Sequence, residues 1–367
     1  MKIIFSNYDD LKNPYYAGGG ARAIHEVAKR LAKRFQVTVI TGKYPGCRNE
    51  EIDRVTYVRV GTKSGGPKVG QLVYQLCLLP KVLGGGFDVW IESFTPPFST
   101  SFLPIFTDKP VIGLVHMLAS RDMIRKYRMP IFGAIESWGL KLYRNLIVLS
   151  GAEAEKIKAV NPDAEISVIP NGVTLTKKPV TKTVKKHILF LGRIEIDQKG
   201  LDLLLEAYTK IAGRIKYPLI IAGSGEKSEK NKLDLMIEKS GLKNFVTIAG
   251  RVEGEEKEKL LAGAVFVVIP SRYETFSLTA LEAMAAGTGI ITFDIEGLKW
   301  IPETISVKAS CFDVSELSSL ILGLSTDERK LSLMGKAGKD YVRKFDWEQI
   351  ADKYAKCILK TSVKQHG

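Results

Sequence analysis

Strand-like and helix-like segments alternate along nearly all of this 367-residue chain, which predicts an α/β protein with two domains, each a parallel sheet carrying helices on its faces. Three observations point there. The alternation breaks once, in the polar stretch 172–186, which holds Pro179 and five lysines after Thr176. Beyond that break the same rhythm restarts. The length is also too great for one core and comfortable for two. The expected division is 1–178, 179–345 and a C-terminal helix over 346–367.

In the first half the expected strands are 2–7, 36–41, 55–60, 88–93, 110–116, 145–150 and 165–170. Amphipathic runs lie between them; in 21–34, Ile24, Val27, Ala28 and Leu31 share one face. In the second half strands are expected at 187–192, 217–223, 244–250, 265–269 and 290–294, with helices at 201–211, 227–239 and 255–262. The tail from Asp327 reads as two helices, the last over 347–359.

An apolar content of 45% and a charged content of 26% describe an ordinary globular protein. The longest apolar run, 72–83, is interrupted by Gln75, Pro80 and Lys81, so no membrane span is expected. Residues 1–7 run into Asp9 and Asp10 and read as a first strand, not a signal peptide. Cys47, Cys77, Cys311 and Cys357 show no metal or redox spacing, which predicts reduced, mostly buried thiols in a cytosolic protein. The net charge is +14. Residues 1–180 hold 25 basic and 15 acidic side chains, the remainder 29 and 25, so +10 of it lies in the N-terminal half. Either an anionic partner meets that half or the chain comes from a generally lysine-rich background.

The most informative stretch is 272–283, with Glu274 and Glu282 eight positions apart. It follows the apolar run 265–269 and Pro270, a buried strand closed by proline. Ser277 or Thr275 is placed to cap the helix that follows, which ends near Gly287. On one helix eight steps turn about 80°, so the two acids would not share a face. On a turn followed by a helix they can converge on one ligand, beside free N–H groups that favour phosphate. Carboxylates for sugar hydroxyls next to donors for phosphate are what a nucleotide-sugar site needs.

Other elements sit at expected strand ends. Arg193 and Lys199 lie in 192–200, after the strand at 187–192, where open α/β sheets bind ligands. Arginine can grip phosphate with two donors and lysine acts as a point charge. Gly223, in the turn 222–226, allows close backbone approach to a base or phosphate. Gly18, Gly19 and Gly20 precede a helix and leave bare backbone for an anion. Their spacing is not G-x-G-x-x-G, and Thr41-Gly42-Lys43 follows the second strand, which argues against an NAD site. His116 ends a strand and points toward a ligand crevice. Asp294 and Glu296 resemble a metal pair but lack a third ligand, and no H-E-x-x-H or G-x-S-x-G occurs. In 117–144, Arg121, Arg125, Lys126 and Arg128 interleave with Met123, Tyr127, Phe132 and Trp138. That suits either an anionic membrane surface or a helix packed on the sheet with a solvated edge.

Residues 272–283 resemble the E-x7-E element of family-4 retaining glycosyltransferases, enzymes of the GT-B fold, in which two Rossmann-like domains face an interdomain cleft. Residues 192–200 resemble that family's G-R-x5-K-G motif, in the longer-spaced form of phosphatidylinositol mannosyltransferases. The chain departs from the pattern at Ser277, often glycine, and at Gly289, often proline. The resemblance implies that Glu274 contacts donor-sugar hydroxyls and Glu282 the ribose. It places the backbone N–H groups of Phe276, Ser277 and Leu278 near the diphosphate, with Arg193 and Lys199 neutralising the leaving group. It also implies that Gly18–Gly20 close over the diphosphate, that Gly223 lies near the nucleotide, and that His116 hydrogen-bonds the sugar. The last helix is expected to return to the first domain.

The expected activity is metal-independent, retaining transfer of a hexose from a UDP- or GDP-sugar, with no cofactor. The acceptor is a hydroxyl, lipid-linked or on a surface glycan, at the inner face of the plasma membrane. A nucleotide-sugar epimerase of similar build is the alternative. A basic nucleic-acid-binding protein is a further one, though the basic residues are interleaved with core strands and no binding motif appears.

Overall fold

The computed structural model describes residues 1–13, 18–64, 66–95, 98–118, 120–175 and 184–363. Contacts divide the chain into one unit of Met1–Asn171 with Trp347–Gly367 and another of Gly172–Asp346. The first division therefore precedes the expected 178/179 boundary. Val173 already belongs to the second unit, where its N–H donates to the Phe345 carbonyl at 2.8 Å. Residues 176–183 lie outside the described residues.

The first unit contains β1 (Lys2–Ser6), α1 (Gly19–Leu31), β2 (Gln36–Gly42), β3 (Glu50–Ile52), β4 (Val55–Val60), α2 (Gly66–Leu83) and β5 (Val89–Ser93). It continues with β6 (Val111–Val115), α3 (Ser120–Tyr127), α4 (Ile131–Lys141), β7 (Asn145–Val148), α5 (Gly151–Val160) and β8 (Glu165–Val168). Its sheet runs β3-β4-β2-β1-β5-β6-β7-β8, and only β3 is antiparallel to its neighbour. The expected strands all form, mostly shorter by one or two residues. β3 was not expected because its hairpin turns through Asp53 and Arg54 at φ 52° and 66°, where Asn-Gly is the usual signal.

The second unit contains β9 (His187–Leu191), α6 (Ile196–Lys199), α7 (Leu201–Thr209), β10 (Leu219–Ala222), α8 (Lys227–Lys239), β11 (Val246–Gly250) and α9 (Gly254–Gly263). After these come β12 (Ala264–Ile269), α10 (Leu278–Ala286), β13 (Gly289–Phe293), β14 (Ser306–Ala309), α11 (Val314–Leu324) and α12 (Glu328–Tyr341). Its sheet is wholly parallel, in the order β11-β10-β9-β12-β13-β14. β12 and β13 are buried at every position, as strands covered on both faces must be, which explains their unbroken apolar runs.

The last helix, α13 (Trp347–Val363), packs on α1 in the first unit. Trp347, Ile350, Tyr354 and Ile358 recur at helical spacing and join Ile3, Phe5, Val27 and Leu31 in one buried cluster. Each such side chain contributes about 1.5–3 kcal/mol by leaving water. The opposite face of that sheet is covered by Tyr74, Leu78 and Val82 of α2, which pack with Trp90 and Leu103.

Each sheet reverses its strand order once, between β1 and β5 and between β9 and β12. In open α/β sheets ligands bind at the carboxyl ends of strands beside such a reversal. In the first unit the β1 exit is held by Asp10, fully buried, whose carboxylate accepts from Arg59 Nε at 3.0 Å and Thr41 Oγ1 at 2.7 Å. The β5 exit is held by Glu92, 2% exposed, which accepts from the Ser101 N–H at 2.5 Å and from the Tyr143 hydroxyl. Burial pushes the Glu92 carboxyl up to about 7, against the hydrogen bonds that favour its charged form. A raised carboxyl stabilises the fold fully below its unfolded value near 4.5, and that contribution is lost as pH rises through 7. Glu92→Gln keeps the shape without the charge. It is expected to gain about 1–3 kcal/mol over the parent at pH 8 and little at pH 5. Thermal unfolding at both pH values checks this, and equal shifts at the two would refute it.

The cysteines depart from expectation. All four are free, but Cys47, Cys77 and Cys357 are half-buried and Cys311 is exposed. Cys311 sits in the bend after β14, where its thiol donates to the Asp294 carbonyl at 3.0 Å.

Candidate functional site

In the second unit two strand exits beside the reversal come together. β9 leads through Gly192 and Arg193 into α6, which ends at Lys199. β12 leads through Pro270 and Ser271 to Glu274. Lys199 Nζ lies 2.6 Å from Glu274 Oε1, which also accepts from Ser271 Oγ at 2.9 Å. The lysine and glutamate side chains are 18% and 11% exposed, so the pair is partly desolvated and its attraction is stronger than at a surface. Two glycines make this geometry possible. Gly200 has φ +64°, and a Cβ there would lie 1.9 Å from the Pro270 carbonyl oxygen. At Gly297 a Cβ would lie 1.6 Å from the carbonyl oxygen of Glu274 itself.

Glu282 lies on α10 and accepts from Lys257 Nζ of α9 at 2.6 Å. The two glutamates therefore hold different cations. Arg193 is 55% exposed and turned toward its own loop, with Nη2 2.6 Å from Glu195 Oε2 and 2.8 Å from Gln198 Oε1. A phosphate taking that face of Arg193 must compete with Glu195.

Ser277, not Thr275, caps α10: its Oγ accepts from the Ala280 N–H at 3.2 Å. Phe276 stacks on Trp300 with ring centres 4.4 Å apart and is buried, so this residue offers a ligand its backbone, not its ring. Thr279 Oγ1 donates to the Leu191 carbonyl at 2.9 Å, tying the first turn of α10 to the end of β9. Gly223 touches the same place, since a Cβ on it would lie 1.7 Å from the Gly192 carbonyl oxygen. Leu278 and the backbone N–H groups around it thus stand at the N-terminus of a nine-residue helix, anchored to both strand exits.

In the first unit Gly18 is the N-cap of α1, and Gly19 and Gly20 already belong to its first turn instead of preceding it. The Gly18 N–H donates to Asp9 Oδ2 at 2.8 Å, so the chain itself supplies an anion to that helix end. A Cβ on Gly20 would lie 3.5 Å from His116 Nδ1, so the glycine turn lies against that ring. His116 follows β6, one residue past its end. Nδ1 lies 3.2 Å from Ser93 Oγ, and Nε2 is buried with no hydrogen-bond partner among the described residues. Burial lowers its pKa to about 4, so the ring is neutral at physiological pH.

Arg121, Arg125 and Lys126 fall in α3, but their side chains lie outside the described residues. Arg128, just past α3, is exposed with φ 54°. Glu296 pairs with Lys299 at 3.2 Å. Among the described residues no group of three His, Cys, Asp or Glu side chains is placed to hold a metal ion. Ser271, Arg272, Lys257 and Gly297 were missed in the sequence: the polar side chains look solvated until their partners are known, and the glycine's close approach to Glu274 joins segments distant in sequence.

The family model described as Glycosyltransferase Family 4 matches residues 17–177, and that described as Glycosyl transferases group 1 matches residues 174–341. An uncharacterised glycosyltransferase of Methanocaldococcus jannaschii is 36% identical over 174 residues, 46% of this chain and 43% of its own length. The match thus spans less than half of that relative. A phosphatidyl-myo-inositol mannosyltransferase of Mycobacterium leprae is 25% identical over 283 residues, 74% of this chain and 72% of its own. Among solved structures, a sucrose-phosphate synthase from Thermosynechococcus elongatus superposes with a TM-score of 0.87 at 20% identity, covering 99% of this chain and 100% of that one.

Proposed function

Because the chain belongs to the family-4-like GT-B glycosyltransferases, we propose that it moves a hexose from a UDP- or GDP-linked sugar to a hydroxyl acceptor, with retention at the anomeric carbon. One observation carries this reading: the Lys199–Glu274 pair at the strand-order reversal, beside the N-terminus of α10. The acceptor oxygen attacks the anomeric carbon on the face from which the nucleoside diphosphate leaves. The new C–O bond forms as the bond to phosphate oxygen breaks, and the acceptor proton passes to that departing oxygen. No side chain needs to act as nucleophile.

Lys199 places its charge on the departing phosphate, and Arg193 adds a second once it exchanges Glu195 for phosphate. Glu274 accepts from sugar hydroxyls. Glu282 accepts from the ribose through the oxygen that Lys257 leaves open. The N–H groups of Phe276–Leu278 and the Gly18–Gly20 turn favour phosphate oxygens, and Gly223 keeps the nucleotide side clear of a side chain. Neutral His116 offers its unpartnered Nε2 to a sugar hydroxyl.

The acceptor in this reading is lipid-linked and reached from a membrane surface. Val69, Leu72, Leu76 and Leu83 form an exposed apolar stripe on α2, which has no acidic residue and is bordered by exposed Lys63 and Lys81. Ile131 and Trp138 of α4 are likewise exposed. Apolar faces edged by cations suit an anionic bilayer. No helix among the described residues is long and apolar enough to cross a membrane.

A panel of UDP- and GDP-sugars, scored for nucleotide release with and without membrane lipid extract, tests the proposal. One donor is expected to release nucleotide only when extract is added, and a chelator is expected to leave that rate within about twofold of control. Silence with every donor would overturn the transferase reading, and release without any acceptor would favour the epimerase. A chelator-sensitive rate would return the leaving-group charge to a metal.

A further inference from the structure

Arg272 has no part in the proposed chemistry, yet it grips the protein on both sides of Lys199. Its guanidinium forks onto Asp202 of α7, Nη1 to Oδ1 at 2.8 Å and Nη2 to Oδ2 at 2.7 Å. Nη1 also donates to the Asp197 carbonyl at 2.8 Å, and the backbone N–H of Arg272 donates to the Gln198 carbonyl at 2.9 Å. Asp197 and Gln198 are the two residues before Lys199, and Asp202 follows it by three. Arg272 itself precedes Glu274 by two.

The segment it grips cannot hold itself. α6 is one turn of four residues, and its N-cap Glu195 makes no side-chain capping bond. An isolated turn that short is far below the length at which helix formation is favourable. Lysine adds four flexible side-chain bonds beyond that backbone. Some outside constraint must therefore keep Nζ within 2.6 Å of Glu274. Glu229 holds the start of α6 by accepting from the Ile196 N–H at 2.7 Å, and Arg272, fixed by its bidentate fork, holds the end that carries Lys199. Burial pushes the Asp202 carboxyl up, but the hydrogen bond and charge of Arg272 more than offset it and hold it below its ordinary value. The same hydrogen bond raises Arg272 above its own.

We infer that Arg272 and Asp202 form a strap that positions Lys199 against Glu274, making Arg272 a positioning residue for departure of the nucleoside diphosphate. The inference rests on the reading of Lys199 as the leaving-group cation. It separates the β12 exit into a residue that meets the donor, Glu274, and one that aligns the opposite loop.

A double-mutant cycle tests it, run on the full-length protein with whichever donor the panel identifies. Arg272→Ala is expected to lower kcat on the order of 10-fold or more, with the donor KM within about threefold. In the Arg272→Ala background, Lys199→Ala is expected to cost only about 10-fold further instead of the roughly 10²-fold it costs alone, because the lysine is already out of place. Arg272→Lys, which keeps the charge but cannot make the fork, is expected to behave like Arg272→Ala. If Arg272→Ala does not fold, Asp202→Asn combined with Lys199→Ala reads the same coupling. Losses that multiply in the double variant would overturn the strap and leave the transferase reading intact. A Lys199→Ala protein with parental kcat would instead remove the reading on which the strap rests.

Discussion

Lys199→Ala and Glu274→Gln are each expected to lose on the order of 10²-fold or more in turnover while remaining folded. In the proposed reaction the lysine charge, partly desolvated and already positioned, need not reorganise as the departing phosphate gains charge. Removing it leaves that charge to Arg193 alone, which is 55% exposed and shared with Glu195. Glutamine at 274 keeps a hydrogen-bond acceptor for the sugar but loses the anion that aligns Lys199. Steady-state kinetics with the identified donor check both, and circular dichroism confirms folding. Folded variants with parental turnover would withdraw these residues from the reaction.

Gly297→Ala is expected to lower turnover by about 10²-fold without touching a charged group. The added methyl would lie 1.6 Å from the Glu274 carbonyl oxygen, so backbone must shift. Glu274 is then carried away from Lys199 and Ser271, and a displacement near 1 Å at a reacting centre is costly on this scale. Strain of this kind costs about 1–3 kcal/mol in stability, so the fold is expected to survive. The check is kcat beside thermal unfolding, with Gly323→Ala as control, since nothing lies within 4 Å of a Cβ there. Parental kcat in a folded Gly297→Ala protein would show that the turn tolerates movement.

The sequence made the repeating β/α rhythm legible because strands covered on both faces read as apolar runs. The candidate elements 192–200 and 272–283 stood out for a related reason: each is contiguous, and their residue types match phosphate and hydroxyl chemistry. Strand order was not legible, since pairings such as β9 with β12 join residues as far apart as His187 and Ala264. α11 was missed although Asp313 caps it through the N–H groups of Ser315 and Glu316, a local signal present in the sequence. Arg272 and Lys257 could not be found that way, because an ion pair identifies itself only when both partners are in view. The separate cations of Glu274 and Glu282, Lys199 for one and Lys257 for the other, were likewise not legible in the sequence.

The placement of α13 bears on the order of events during synthesis. Trp347, Ile350, Tyr354 and Ile358 complete a layer whose members outside α13 lie between Ile3 and Ile169, all made before the second unit. The ribosome therefore releases the first unit's chain with α1 bare on one side, while the second unit already has every strand it needs. The apolar face that α13 covers in the first unit thus has no cover until that helix has been made.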